Sequence, residues 1–96
     1  MTTLATIKQA LHTYIVHSIL KNKGLPVADD MRLLSDGLID SINIVEIILF
    51  LENRFAIDIP ESDITFENVD TIERIAMLTQ RHIARQHESP ESNVYR

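Results

Sequence analysis

Apolar residues recur every three or four positions along most of this chain, which is the pattern of amphipathic α-helices. The first such segment covers residues 3–20 and ends at the basic stretch 21–23, which is followed by Gly24. Lysines suit the negative end of a helix and glycine can cap it, and the Leu25-Pro26 pair marks the break. The sequence therefore predicts a first long helix whose apolar face consists of Leu4, Ile7, Leu11, Ile15 and Ile19.

A segment without helical periodicity, residues 21–40, connects this helix to the next. It is too apolar for a loop that is exposed to solvent, because it contains Val27, Met31, Leu33, Leu34, Leu38 and Ile39. We expect an irregular segment that packs over the core, with one short turn of helix at residues 30–34. Asp36-Gly37 predicts a tight turn just before the second helix.

The second predicted helix, Ser41–Phe55, contains no glycine or proline, and Asp40 is a good N-cap for it. On a helical wheel it carries two apolar stripes. The stripe that we assign to the core consists of Ile44, Ile47, Ile48, Leu51 and Phe55. The other stripe lies on nearly the opposite side and consists of Ile42, Val45 and Leu49. Either the connecting segment covers this second stripe, or the stripe stays exposed beside Glu46 and Glu52 as a contact surface.

A short helix and a last long helix complete the predicted architecture. The short helix covers residues 64–67 with Ser62 or Asp63 as its cap, and the long helix covers residues 71–87. Asp70, followed three residues later by Glu73, has the form of a capping box for the long helix. Residues 88–96 are polar and are predicted to be a disordered tail. The sequence thus predicts an all-α domain over residues 1–87, a bundle of three long helices and one short helix with a long first loop.

Charge and composition exclude several classes of function. With 14 acidic and 9 basic residues the 96-residue chain has a net charge of −5, which argues against nucleic acid and against an anionic membrane surface as partners. The chain has no cysteine, and its histidines form two pairs five residues apart, so we predict surface histidines and no metal site. We expect no enzyme, because no nucleophile–base pattern or nucleotide-binding motif is present. Without a secretory signal or a membrane-spanning run, the expected location is the cytoplasm.

Ser41 is predicted to lie in the first turn of the second helix. A phosphate ester at this position would meet unpaired backbone N–H groups and the positive end of the helix dipole, a contact that contributes about 0.3–1 kcal/mol. A serine in this position can equally help Asp40 to cap the helix. Helix geometry alone leaves both roles open for Ser41.

The order of the residues around Ser41 resembles the acyl carrier protein family. The residues that carry the resemblance are Asp36-Gly37-Leu38-Ile39-Asp40-Ser41-Ile42, Val45-Glu46, Leu51-Glu52, Phe55, Ile57-Asp58-Ile59-Pro60 and Thr71-Ile72. That family has Asp-Ser-Leu at the start of its second helix, an aliphatic-Glu pair after it, a Phe that closes the helix and an Ile-Pro soon after. The resemblance covers residues 4–85 and implies the acyl-carrier-like four-helix bundle.

The resemblance implies that Ser41 carries a 4′-phosphopantetheine arm, which a separate phosphopantetheinyl transferase attaches from coenzyme A. The thiol of that arm would hold an acyl or aminoacyl cargo as a thioester, and the chain would be a monomeric carrier without catalytic activity. The family's loading and transferring enzymes present basic patches. They dock on carrier positions that here match Asp40, Ile42, Val45, Glu46 and Leu49. In the family the bundle interior can also take up an acyl chain, and the matching aliphatic lining here is Ile44, Ile47, Ile48, Leu51 and Ile75.

Three departures from the family pattern favour a dedicated pathway. Gly37 lies four residues before Ser41, a spacing more like that of D-alanyl, aminoacyl and peptidyl carriers, and Ile42 replaces the usual Leu or Met. The acids of the second helix are Glu46 and Glu52 alone, and Arg54 offsets them. We therefore expect a dedicated fatty acid, polyketide or nonribosomal peptide-type pathway. The alternative is a helical interaction module that binds a partner through the second stripe and is never modified.

Overall fold

The computed structural model describes residues 2–21 and 27–88, and the regular elements within these ranges are all helical. The first helix, α1, covers Leu4–Tyr14 and continues as one π-helical turn, Ile15–Ile19. The others are α2 (Ser41–Phe55), a 3₁₀ turn (Glu61–Asp63), α3 (Phe66–Val69) and α4 (Ile72–Glu88). The predicted all-α bundle of three long helices and one short helix is confirmed, and the bounds of α2 are those predicted from the sequence.

The first helix begins after Thr3, whose hydroxyl accepts a hydrogen bond from the Thr6 N–H at 3.2 Å. Its predicted apolar face is confirmed, because Ile7, Leu11 and Ile15 are completely buried. The π-helical turn closes with the Leu20 N–H donating to the Ile15 carbonyl at 2.8 Å. The predicted cap at Gly24 and the break at Leu25-Pro26 lie outside the described residues.

The second and fourth helices run in the same direction. The beginning of α4 lies beside the loop before α2, because the Asp70 carboxylate accepts a hydrogen bond from the Leu34 N–H at 2.9 Å. The end of α4 lies beside the end of α2, because the Gln86 side chain bonds to the Asp58 N–H and to the Ala56 carbonyl. The core between α1, α2 and α4 is aliphatic, and its completely buried members are Ile7, Leu11, Ile15, Leu33, Ile47, Leu51, Ile72, Ile75, Ala76 and Leu78.

Two predictions for the last third of the chain are wrong. The short helix begins at Phe66 rather than at residue 64, and its cap is Thr65, whose hydroxyl accepts from the Asn68 N–H at 3.3 Å. The cap of α4 is Thr71, which accepts from the Arg74 N–H at 3.0 Å, and not Asp70. The Asp70 carboxylate does not cap α4 because it is bonded to the loop before α2.

Of the expectations for the irregular segments and the end of the chain, some are confirmed and others are wrong. The predicted turn of helix at residues 30–34 is wrong, since these residues form turns without a helix. The connecting segment does pack on the core as predicted, with Val27, Leu33 and Ile39 buried. The last helix reaches Glu88, one residue into the predicted tail, and the rest of that tail lies outside the described residues. No helix within the described ranges is both long and apolar enough to cross a membrane.

The prediction that all histidines lie on the surface is wrong for His82. Its residue surface is only 4% exposed, and its Nε2 atom lies 2.9 Å from the Asp63 carboxylate. His12 is exposed as predicted, although its Nε2 atom lies 2.9 Å from the Val27 carbonyl oxygen. His82 can be buried because a carboxylate from the 3₁₀ turn provides a hydrogen-bond partner for its ring.

Candidate functional site

The first turn of α2 is capped by Asp40 and Asn43. The Asp40 carboxylate accepts a hydrogen bond from the Asn43 N–H at 2.9 Å, and the Asn43 side-chain oxygen accepts from the Asp40 N–H at 3.0 Å. This reciprocal arrangement is a capping box in which Asn takes the place of the usual Glu or Gln. The helix therefore begins without any contribution from the Ser41 side chain.

Ser41 is the first residue of α2 and its side chain is exposed. Within residues 2–21 and 27–88, no group forms a hydrogen bond with its hydroxyl. The position combines an accessible oxygen with the positive end of the helix dipole and the backbone N–H groups of the first turn. Such a helix start favours an anionic group on the hydroxyl. The alternative role that the sequence left open for Ser41, helping Asp40 to cap the helix, is not needed.

The loop that leads to Ser41 is held in one conformation by its own backbone. The Leu33 carbonyl accepts hydrogen bonds from the Leu38 N–H at 2.9 Å and from the Ile39 N–H at 3.1 Å. The predicted turn at Asp36-Gly37 is confirmed, with a φ of 76° at Gly37 that a glycine adopts without strain. Leu33 and Ile39 are both buried, so the loop is fixed to the core on each side of the turn.

A second anchor of this loop is the Asp70 carboxylate at the start of α4. One of its oxygens accepts from the N–H groups of Leu34 and Ser35, and the other accepts from the Ser35 hydroxyl at 2.7 Å. Burial would raise the pKa of Asp70, but the hydrogen bonds from Ser35 and Leu34, together with the charge of Arg32, outweigh it and hold the pKa below its usual value. Asp70 is therefore ionised near neutral pH and ties α4 to the segment before Ser41.

An open groove of about 380 Å³ lies beside Ser41, between α2 and α3. From α2 and the preceding loop it is lined by Leu34, Ser41, Ile44 and Val45, and from the other side by Glu61, Ile64, Thr65, Phe66 and Val69. The groove is mostly apolar, with the Glu61 carboxylate among its lining residues. Sequence reasoning missed Glu61 and Phe66, although Phe66 is an aromatic residue in a polar stretch and its side chain proves to be 57% exposed.

The second apolar stripe of α2 is exposed, which decides between the two interpretations of the helical wheel. Its members Ile42, Val45 and Leu49 are 71%, 57% and 54% exposed. The opposite stripe is confirmed as core, since Ile44, Ile47, Ile48 and Leu51 are buried and its last member, Phe55, is partly buried against them. We call the exposed set, Ile42, Val45 and Leu49, the α2 stripe; it extends from the residue after Ser41 to the middle of the helix.

The two acids expected beside the α2 stripe have different roles. Glu46 is exposed, and one of its carboxylate oxygens accepts from the Asn43 side-chain amide at 3.2 Å, so its charge stays at the surface. Glu52 instead holds the chain after α2, because its carboxylate accepts from the Ile59 N–H at 2.9 Å.

An aromatic contact joins α2 to α1: Phe50 stacks on Tyr14 with ring centroids 4.3 Å apart. Burial and, after it, the charge of Glu46 raise the pKa of Tyr14.

The comparisons with known proteins agree with this geometry. Residues 14–78 match the PP-binding family, described as the phosphopantetheine attachment site, and this chain belongs to that family. A D-alanyl carrier protein of Abiotrophia defectiva is 29% identical over 55 residues, which cover 57% of this chain and 70% of that protein. No solved structure matches the chain significantly.

Membership of this family establishes a carrier function. The chain is a non-catalytic carrier that bears covalently attached 4′-phosphopantetheine, is modified by a phosphopantetheinyl transferase and interacts with loading and transferring enzymes. The group supplies a thiol at the end of a flexible arm, on which a cargo is held as a thioester. The start of α2 fits such a group, because it offers an exposed hydroxyl, free backbone N–H groups and an adjacent apolar groove.

Proposed function

We propose that Ser41 is the residue to which the phosphopantetheine arm is attached. The observation that carries this proposal is the exposed hydroxyl of Ser41 at the first position of α2, where capping is already provided by Asp40 and Asn43. The backbone N–H groups of the first helical turn favour the negative charge of the phosphodiester. Because the loop before Ser41 is anchored at Leu33 and Asp70, the hydroxyl is presented in a fixed position to a modifying enzyme.

We propose that partner enzymes dock on the α2 stripe and on the acids at its edges, Asp40 and Glu46. The support is an exposed aliphatic surface that begins next to Ser41 and is flanked by negative charge. Exposed apolar patches with a charged rim are typical of contact sites. A partner that presents basic residues around an apolar depression would match both features. A small contact surface of this kind suits a carrier, which must bind and leave successive partners quickly.

The proposed pathway is a dedicated one, of a fatty acid, polyketide or nonribosomal peptide type, rather than general fatty acid synthesis. The similarity to a D-alanyl carrier protein and the four-residue spacing from Gly37 to Ser41 favour an aminoacyl cargo among these. We propose that the protein acts as a monomer in the cytoplasm, where coenzyme A is available for the modification.

A cargo of sufficient length is proposed to lie in the groove between α2 and α3. Of the interior residues that the sequence suggested for this role, Ile44 lines the groove, whereas Ile47, Ile48, Leu51 and Ile75 are buried in the core. The groove requires no separation of core helices, so it is the less costly place for an apolar chain. Chemical-shift changes that stay confined to the arm after acylation would contradict this part of the proposal.

The attachment site is tested by intact-mass measurement after incubation with coenzyme A and a broad-specificity phosphopantetheinyl transferase. We expect the wild-type protein to gain the mass of one phosphopantetheine and the Ser41→Ala variant to gain nothing. Ser62→Ala is the matched control, since Ser62 is also exposed but lies in the 3₁₀ turn, and it should be modified normally. Modification of Ser41→Ala to the same extent as the wild type would overturn the assignment.

A further inference from the structure

His82 of α4 is a buried titratable side chain that the attachment of an arm at Ser41 does not use. Only 4% of the residue surface is exposed, and its Nε2 atom lies 2.9 Å from a carboxylate oxygen of Asp63. An ionised carboxylate can only accept, so Nε2 carries the hydrogen and donates it. This is a charge-assisted hydrogen bond between α4 and the 3₁₀ turn, and such bonds are roughly twice as strong as neutral ones.

Asp63 also connects the 3₁₀ turn to α3. Its backbone carbonyl accepts a hydrogen bond from the Asn68 side-chain amide at 2.8 Å, and its N–H donates to the Pro60 carbonyl at 3.0 Å. The carboxylate and the backbone of one residue thus join three segments, namely α4, the 3₁₀ turn and α3. Asp63 is itself half-exposed, so water can replace His82 as its partner if the imidazole is removed.

The segment that Asp63 holds forms the far side of the groove beside Ser41. Glu61, Thr65 and Phe66 line the groove opposite α2. The third helix has four residues, too few to be stable by itself, and Phe66 and Glu67 within it are exposed. Its position therefore depends on anchors at both ends: Asp70 and the buried Val69 hold its end, and the hydrogen bonds through Asp63 hold its beginning.

We propose that His82 and Asp63 form a positioning pair that fixes α3 as one wall of the groove beside Ser41 and so controls access to that groove. The effect of the pair on cargo access to the groove rests on the proposed function of Ser41, whereas its effect on the position of α3 does not. The pair acts through α3, and neither of its residues is among those that line the groove. Loss of the hydrogen bond loosens the 3₁₀ turn and the beginning of α3, while the aliphatic core between α1, α2 and α4 stays intact.

The first test measures amide hydrogen exchange by NMR in the unmodified full-length protein. In His82→Leu, which fills the buried space without a donor, we expect exchange of the Ile64 and Asn68 amides to accelerate at least fivefold. These N–H groups donate to the Glu61 and Thr65 carbonyls, so they report on the segment directly. Amides of buried core positions in α1 and α2, such as Leu11 and Ile47, should keep their wild-type rates. Unchanged rates at Ile64 and Asn68 would overturn the proposal.

A conservative variant separates the hydrogen bond from the volume of the side chain. The side-chain nitrogen of Gln can occupy the place of the imidazole Nε2, so His82→Gln should restore slow exchange in α3, whereas His82→Leu should not. Asp63→Asn keeps an acceptor for His82 but loses the charge, so its exchange should lie between those of the wild type and of Asp63→Ala, which should behave like His82→Leu. Glu67→Gln is the control for loss of an acid from this region, because Glu67 is exposed on α3. Equal exchange in all these variants would exclude a positioning role.

Access to the groove is tested in protein loaded with an octanoyl cargo on the arm. Hydroxylamine cleavage of the thioester should be about threefold faster in His82→Leu than in the wild type and unchanged in Glu67→Gln. Equal cleavage rates would remove the role of the pair in access. The two proposals fail separately: a Ser41→Ala variant that is still modified contradicts the role of Ser41, while the exchange measurement on unmodified protein still decides the role of His82.

Discussion

Among single residues, Asp70 contributes most to holding the loop before Ser41 in place. The Asp70 carboxylate accepts hydrogen bonds from Leu34 and Ser35, and the Asp70 backbone carbonyl accepts one from the Leu33 N–H at 2.6 Å. These contacts fix the loop at residues 33–35, before the turn at Gly37, without touching Ser41 itself. A change at Asp70 is therefore expected to disturb both the stability of the fold and the position of Ser41, the proposed attachment residue.

The pKa of Asp70 predicts how stability depends on pH. Because the pKa of the folded state lies below the unfolded value of 3.8, Asp70 contributes stability at higher pH that is lost as the pH falls through 3.8 towards the folded pKa. We expect Asp70→Asn to lower the free energy of unfolding at pH 7 by about 1–2 kcal/mol and to flatten its decrease at acid pH. Urea unfolding followed by circular dichroism at pH 7 and pH 3 measures both.

The exposed Glu73→Gln change on α4 is the control for a lost negative charge and should leave the pH profile nearly unchanged. If Asp70→Asn and the wild type lost stability in parallel on acidification, the role assigned to the ionised Asp70 would be wrong.

At this scale the sequence misassigned the two side chains whose partners are distant in the chain. Asp70 matches a local cap motif, yet its partners Leu34 and Ser35 lie 36 and 35 residues away. His82 has its partner Asp63 19 residues away. Local spacing contains no information about such contacts. The start of α2 at Ser41 was predicted correctly, because its signals, Asp40 and the apolar run that follows, are adjacent in the sequence.

At the scale of the elements, α2 combines two apolar faces that serve different purposes. One face packs in the core through residues such as Ile47 and Leu51, and the other carries the α2 stripe. Both bounds of α2 could be predicted, because Asp40 and a 15-residue periodic run mark it locally. The four-residue α3 provides too few periodic positions, and its predicted bounds were two residues early. Whether the α2 stripe is covered could not be predicted, since that depends on where the connecting segment packs.

The α2 stripe predicts separate effects of mutation on binding and on folding. Ile42→Ala, Val45→Ala and Leu49→Ala should each lower the kcat/KM of modification or cargo transfer roughly five- to tenfold, as expected for about 1 kcal/mol at a contact site. Their free energies of unfolding should change by less than about 0.5 kcal/mol. Partner kinetics and urea unfolding measured on the same variants test this.

Ile48→Ala is the matched control on the core face of the same helix, and it should cost about 2–5 kcal/mol of stability because it leaves a cavity. A comparable loss of stability in the three stripe variants would mean that the stripe packs within the fold, contrary to its exposure.

At the scale of the whole molecule, net charge and surface shape act together. The chain carries a net charge of −5, and exposed acids lie near Ser41 on different elements: Asp36 in the loop, Asp40 and Glu46 at α2, and Glu61 in the 3₁₀ turn. Their fields add at distances of the order of the Debye length, about 10 Å at 0.1 M salt. Such a surface attracts a partner with a basic patch before any specific contact forms.

Salt therefore distinguishes electrostatic attraction from apolar docking. We expect the kcat/KM of the phosphopantetheinyl transferase for this protein to fall about tenfold between 0.05 and 0.5 M sodium chloride, with a smaller change in kcat. In Glu46→Gln the salt dependence should be weaker than in Glu73→Gln, because Glu73 lies on α4 rather than beside the α2 stripe. A kcat/KM that is independent of salt would contradict a role for the acids in association.

The reciprocal cap formed by Asp40 and Asn43 has a consequence for the attachment and removal of a group at Ser41. Since Ser41 contributes nothing to the start of α2, joining a group to its oxygen or removing it again breaks no bond that the native state needs. Newly made chains can reach their final shape before any transferase meets them. With the arm attached at Ser41 as proposed, the folded chain would gain or lose that arm without refolding at the start of α2.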